Sequence, residues 1–298
     1  MTKKKNSIDW KPTLLTMVAS AGLDPWLAVE ERAQRPIIEA YGASYGRAIW
    51  FRANPEADTK LAFFVLARLV RVWLQFPYSN IRAVRFFSRF SALRRGNMGI
   101  LTKVFQRVAR ESSPPLVSKT DENIVNSSFP THVDLAGLRT IEMLRFAIEN
   151  YEFDYLLRLT STCLPVPVEI EKILKRLPRR RVFGGQISEA FNLSFLSGAA
   201  LFFSRDVVEE IVKNSDSFRF GVFEDVALSL LVKEKDLADF LEIPYLNVGY
   251  LENLSEIGRD DVSGFSVLRC KRSWSQTNSA DEVVSTMSQI EAFLGTRM

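Results

Sequence analysis

Three short stretches of this sequence combine residue types that could do chemistry. In Val222 to Val232 (VFEDVALSLLV), the carboxylates Glu224 and Asp225 stand together at the head of an otherwise apolar helical pattern. Negative groups are favoured at a helix N-terminus, so the pair can be a cap, or one member can be held as a general base. In Phe153 to Pro167, an apolar strand pattern runs into the hydroxyls Thr160, Ser161 and Thr162. That is either an ordinary Ser/Thr turn or a site at the carboxyl end of a sheet strand, where ligands collect in open α/β folds. In Phe195 to Ile211, Ser197-Gly198-Ala199-Ala200 leaves room for close backbone approach, or simply packs as a small-residue strand. Ser204 precedes a helical pattern as a candidate N-cap. Cys163 and Cys270 are the two cysteines and His132 the one histidine of 298 residues. A four-ligand zinc site of Cys and His would need four such residues close together, and any His-dependent triad would have to use His132.

The elements that must position these groups read as an alternation of strands and helices. Thr13 to Ala19 is a strand, Trp26 to about Tyr41 a helix, and Arg47 to Arg52 a second strand, which opens a parallel α/β sheet. Leu135, Leu138, Ile141, Leu144 and Ala147 have helical spacing and lead into the strand pattern at Phe153 to Leu157. Phe183-Gly184-Gly185, the apolar run Phe195 to Phe203, a helix over Arg205 to Lys213 and another from Glu224 follow. With 47% hydrophobic and 25% charged residues, 14 Gly and 12 Pro, the chain falls outside the disordered, collagen-like and disulfide-scaffold classes.

From the Phe153 strand onward the chain resembles the fringe and β-1,3-galactosyltransferase-like glycosyltransferases of the GT-A fold, and especially their soluble bacterial relatives. The resemblance rests on Phe153-Asp154-Tyr155-Leu156-Leu157-Arg158, Phe183-Gly184-Gly185, Ser197-Gly198-Ala199 with Phe203-Ser204-Arg205-Asp206-Val207-Val208, and Glu224-Asp225-Val226. It continues into Leu268-Arg269-Cys270-Lys271, similar to the family's late element of His, Arg and Lys, and to Asp281 and Met287.

It implies a mainly parallel, Rossmann-like α/β sheet flanked by helices, over residues 7–294. It also implies inverting transfer of a sugar from a nucleotide-diphosphate donor, a UDP-sugar being expected, to a hydroxyl of a glycan or glycolipid acceptor, as in polysaccharide biosynthesis. Asp225 would be the base and Glu224 would orient it or contact the acceptor. Arg158, Arg269 and Lys271 would stabilise the departing diphosphate, with Thr160, Ser161 and Thr162 bonding ribose or phosphate. Gly184, Gly185, Ser197 and Gly198 would line the acceptor side. The family's metal-binding Asp-x-Asp falls on Thr160-Ser161-Thr162 and its metal-binding His on Leu268, none of them carboxylate-type ligands. No divalent metal and no other cofactor are therefore expected. The competing reading is a catalytically inactive GT-A-like scaffold that binds sugar or membrane.

Residues 58–111 stand apart. Between Lys60 and Arg110 there are eleven lysines and arginines and no Asp or Glu, so the net charge of +4 leaves the rest of the chain acidic. Aromatic residues interleave with arginines at helical intervals, as at Arg82, Arg85 and Arg89. A basic amphipathic helical insertion is expected, with contact to an anionic membrane as its first reading, packing on the sheet as its second and nucleic acid as its last. Leu61 to Pro77 contains Arg68 and Arg71 and is too short and charged for a transmembrane span. The basic start MTKKKNSIDWKP lacks an apolar core, so the expected location is cytoplasmic, peripheral on the inner face of the membrane.

Overall fold

The structure, a computed structural model, describes residues 12–22, 25–40, 46–53, 118–127, 136–190, 193–219, 223–250, 262–271 and 279–295. The basic segment 58–111, with Arg82, Arg85 and Arg89, and His132 lie outside the described residues.

The chain opens with β1 (Leu14–Ser20), whose side chains are buried on both faces, as expected of an interior strand between parallel neighbours. The following helical stretch is one path with a widened turn: α1 (Trp26–Val29), a π-helical segment (Glu30–Gln34) and α2 (Arg35–Ala40). Pro36 accounts for the widening, since it donates no N–H and its ring crowds the carbonyl four residues back. The Arg35 N–H bonds instead to the Glu30 carbonyl. After β2 (Arg47–Arg52) come β3 (Ser118–Asp121), β4 (Ile124–Asn126), α3 (Ala136–Asn150), β5 (Tyr155–Thr160) and β6 (Cys163–Pro165). The second half holds α4 (Pro167–Leu174), β7 (Val182–Ala190), β8 (Leu193–Ser204), α5 (Arg205–Lys213), α6 (Glu224–Glu234), β9 (Asp239–Glu242), β10 (Tyr245–Asn247), β11 (Val267–Arg269) and α7 (Ala280–Gly295).

Eight strands form one sheet in the order β3-β4-β2-β1-β5-β8-β7-β9. The β4-β2-β1-β5 pairings are parallel; β8 runs antiparallel to both β5 and β7, and β9 is parallel to β7. This is the expected α/β sheet flanked by helices, with parallel pairing at its centre. Leu15, Met17, Phe51, Leu156, Phe183 and Phe203 point to the face covered by α3, α5 and α6. Leu14, Val18, Trp50, Leu157, Leu159 and Phe202 point to the other, against Ile38 of α2 and Ile170 and Leu174 of α4. Each such side chain contributes about 1.5–3 kcal/mol when fully buried. A smaller sheet, β10-β11-β6, packs with α1 and α7 around Val29, Leu164, Leu268, Val283 and Met287.

Ser204 does occupy the N-cap position of α5, but its side chain makes no capping bond. Its hydroxyl accepts the Val182 N–H at 2.9 Å, tying β7 to β8 where both are buried.

Candidate functional site

β1, β2 and β5 run in the same direction, and their carboxyl ends meet the small-residue start of β8 and the N-terminal turn of α6. A cleft of about 410 Å³ opens there. It is lined by Ser20, Trp26, Arg158, Thr160, Ser161, Thr162, Ser197, Gly198, Glu224, Asp225, Arg269 and Lys271, with Arg139 and Thr140 of α3 and Phe223 closing it. Residues far apart in sequence thus reach one volume because β5, β8, α6 and β11 all present their chemistry at one sheet edge.

Arg158 is the unusual residue of β5, a cation 4% exposed in a strand otherwise apolar up to its end. A buried charge must be paired. Its Nη2 lies 2.7 Å from Glu224 Oε1 and 2.8 Å from Oε2, and its Nη1 donates to the Gly198 carbonyl. Glu224 Oε1 also accepts the Thr140 hydroxyl. Arg158 thus stands at the cleft wall with its guanidinium held by Glu224 and the β8 backbone, while its buried Nε has no hydrogen-bond partner. Glu224 has both carboxylate oxygens engaged, by Arg158 and by Thr140.

Asp225 is held differently. Oδ2 accepts the Gly198 N–H at 3.1 Å and Oδ1 the Val226 N–H at 2.9 Å. Each oxygen keeps lone-pair capacity beyond these single bonds. Gly198 is thus gripped from both sides, its carbonyl by Arg158 and its N–H by Asp225. A Cβ there would lie 3.2 Å from Asp225 Cβ and 3.4 Å from Asp225 Oδ2. The close approach that the small residue permits is to this carboxylate.

On the opposite wall, β11 alternates. Leu268 is 1% exposed within the apolar cluster of the small sheet, whereas Arg269 faces the cleft. Arg269 Nη1 donates to the Tyr245 hydroxyl at 2.9 Å, which lies 3.3 Å from Ser197 Oγ, while its buried Nε has no partner. Lys271 Nζ stands 4.6 Å from the centre of the Trp26 ring. Burial first, and then the neighbouring Arg269, lower the Lys271 pKa from its usual 10.5. Thr160 Oγ1 lies 3.2 Å from Thr162 Oγ1 and 3.3 Å from Cys163 Sγ, so the hydroxyl turn is internally bonded.

Gly184 and Gly185 are elsewhere. They lie on β7 between β8 and β9, and an added Cβ at Gly184 would meet Ile243 Cδ1 at 2.5 Å. Their smallness serves packing, and the acceptor-side role read for them does not apply to this cleft. Arg139, Thr140, Tyr245 and Trp26 were not legible as site residues. Each sits in an ordinary helical or apolar pattern, and only the three-dimensional fold brings it to the sheet edge.

The lining side chains suit an anion. Four cations (Arg139, Arg158, Arg269, Lys271) face two carboxylates (Glu224, Asp225). At Thr160, Ser161, Thr162 and Leu268, where the family resemblance puts metal ligands, the side chains supply no anionic oxygen for a divalent cation. Among the described residues no group of three or more His, Cys, Asp or Glu side chains is placed to hold a metal ion.

The sequence matches no protein-family model and no curated protein. Among solved structures it is similar to a glycosyltransferase involved in the glycosylation of the major capsid of PBCV-1. The two are 10% identical, with 93% of this chain and 100% of that chain covered and a TM-score of 0.45. None of these comparisons singles out the fringe-like family, whose name rests on the sequence motifs.

Proposed function

We propose that the protein is a glycosyltransferase that moves a sugar from a nucleotide-diphosphate donor, a UDP-sugar, to a hydroxyl of a glycan or glycolipid, with inversion and without a metal. The observation that carries this reading is the state of Asp225, a carboxylate fixed by two backbone N–H groups at the wall of a cationic cleft. A sugar hydroxyl is a poor nucleophile at neutral pH, and a positioned carboxylate removes its proton as the new bond forms. The leaving diphosphate gains charge as the old bond breaks, so cations and donors on its side lower the barrier. Arg269 and Lys271 supply that charge, while Thr160, Ser161 and Thr162 hydrogen-bond the ribose or phosphates of the donor in the ground state and the transition state alike. Arg158 and Glu224 hold each other and, through Gly198, the base.

The charges of the cleft support a metal-free reaction. The cationic side chains that line the cleft suit the two negative charges of a diphosphate diester. Incubation with UDP-sugars in excess EDTA tests this directly. Release of UDP, and a rise in melting temperature with UDP, are both expected to survive the chelator, because a ligand of the folded state stabilises it by mass action. Activity lost in EDTA and restored by Mn²⁺ would overturn the metal-free assignment. Binding of UDP with no turnover of any donor would favour the inert scaffold.

A further inference from the structure

The hydroxyl turn is held by a residue that does not line the cleft. Gln34, the last residue of the π-helical segment, is fully buried, and its Nε2 lies 2.9 Å from the Thr160 carbonyl and 2.7 Å from the Cys163 carbonyl. Both partners are carbonyl oxygens, so the amide can face them only with its NH₂ end. One side chain thus ties the two ends of the turn Thr160-Ser161-Thr162-Cys163 together. Its own Oε1 is buried without a partner, a cost the fold accepts to place the donor end there.

The other end of the segment is tied as well. Glu30, also fully buried, receives Arg52 Nε at 2.8 Å and Nη2 at 2.6 Å at the end of β2. The segment therefore bridges the ends of β2 and β5 on either side of β1. π-Bulges of this kind recur at functional sites, where one extra residue in a turn re-aims a side chain.

We infer that Gln34 is a positioning residue for the hydroxyl turn, setting the conformation in which Thr160, Ser161 and Thr162 meet the phosphates of the donor. It touches no ligand itself. The inference rests on the turn being part of the donor site, as argued above. Because the turn binds donor equally before and during transfer, its loosening raises KM and leaves kcat nearly unchanged, whereas loss of the base lowers kcat.

The test uses the full-length protein and Gln34→Met, which keeps length but cannot donate. Three readouts are taken at matched melting temperature: the rate at which iodoacetamide labels Cys163, the affinity for UDP, and donor KM and kcat. Faster Cys163 labelling, UDP affinity weaker by about tenfold and a KM raised alone are expected. Unchanged labelling would overturn the inference, as would faster labelling with unchanged UDP affinity. Should Gln34→Met fail to fold, the wild-type protein still decides. Both Gln34 side-chain amide protons, given to buried carbonyls, must exchange slowly with solvent by NMR, and fast exchange would overturn the assignment. If wild-type protein binds no UDP, the donor-site reading fails, while labelling and exchange still report whether Gln34 holds the turn.

Discussion

Asp225 and Glu224 are adjacent in the chain and differ in what their oxygens face. Glu224 is closed by Arg158 and Thr140, and Asp225 is open beyond two backbone donors. Asp225→Asn keeps size, but its single oxygen can accept from only one of the two backbone N–H groups, and it cannot take a proton. We expect it to fold normally, to bind UDP as the wild type does, and to lose transfer by about 10² to 10⁴-fold in kcat. Were Asp225 only a helix-terminal charge, the change would cost about 0.3–1 kcal/mol of stability and leave turnover intact. Lys271 gives a second expectation. Burial and the neighbouring Arg269 lower its pKa, so it loses its proton earlier than an exposed lysine as pH rises. Only the charged form attracts a diphosphate. UDP affinity should therefore fall on the alkaline side before ordinary lysines titrate, and Lys271→Arg should flatten that fall in calorimetric titrations across pH.

Between elements, the contact that matters most is β8 against α6. Gly198 can pass within reach of Asp225 and Arg158 because nothing projects from it. Gly198→Ala forces the carboxylate to shift by a few tenths of an ångström or the strand to yield. A misplacement of about 1 Å at a reacting group can cost about 10²-fold, so a large loss of kcat is expected with a stability loss of only about 1–3 kcal/mol. Steady-state kinetics beside a denaturant midpoint separates the two. Much of this element layer was visible in sequence. Continuous apolar runs marked β1 and β5, helical spacing marked α3, and the small residues of β8 and the acidic head of α6 stood out as sites. What stayed hidden is what long-range pairing decides. No pattern says that Arg158 pairs with Glu224, or that Gln34 reaches a turn more than a hundred residues away. Strands of three residues, such as β6, β10 and β11, are too short to show a period. The acceptor-side role that the resemblance implied for Gly184 and Gly185 gave no hint of what crowds them, Ile243 at Gly184 and the Ala200 carbonyl at Gly185.

At the scale of the whole molecule, the relevant fact is where the basic stretch joins the sheet. The chain leaves the described residues just after β2, at Ala53, and returns at β3, whose Ser118 pairs with Asn126 at the end of β4. β4, β2 and β1 are parallel, so both junctions fall at the sheet edge that carries the cleft. No helix among the described residues is long and apolar enough to cross a membrane. Eleven lysines and arginines with no Asp or Glu between them, interleaved with aromatic residues, carry the proposal of contact with an anionic membrane surface. Each basic residue near such a surface contributes about 1 kcal/mol, so a few contacts give measurable partitioning that added salt weakens. The protein should co-sediment with phosphatidylglycerol vesicles at low salt. Arg82, Arg85 and Arg89 changed together to Glu should release it, while turnover of a soluble acceptor stays intact. Transfer to a vesicle-embedded glycolipid should fall with the same substitutions, since only that acceptor depends on docking. No binding to anionic vesicles at low salt would assign the aromatic residues to packing on the protein instead, and would remove the surface from the mechanism without touching Asp225.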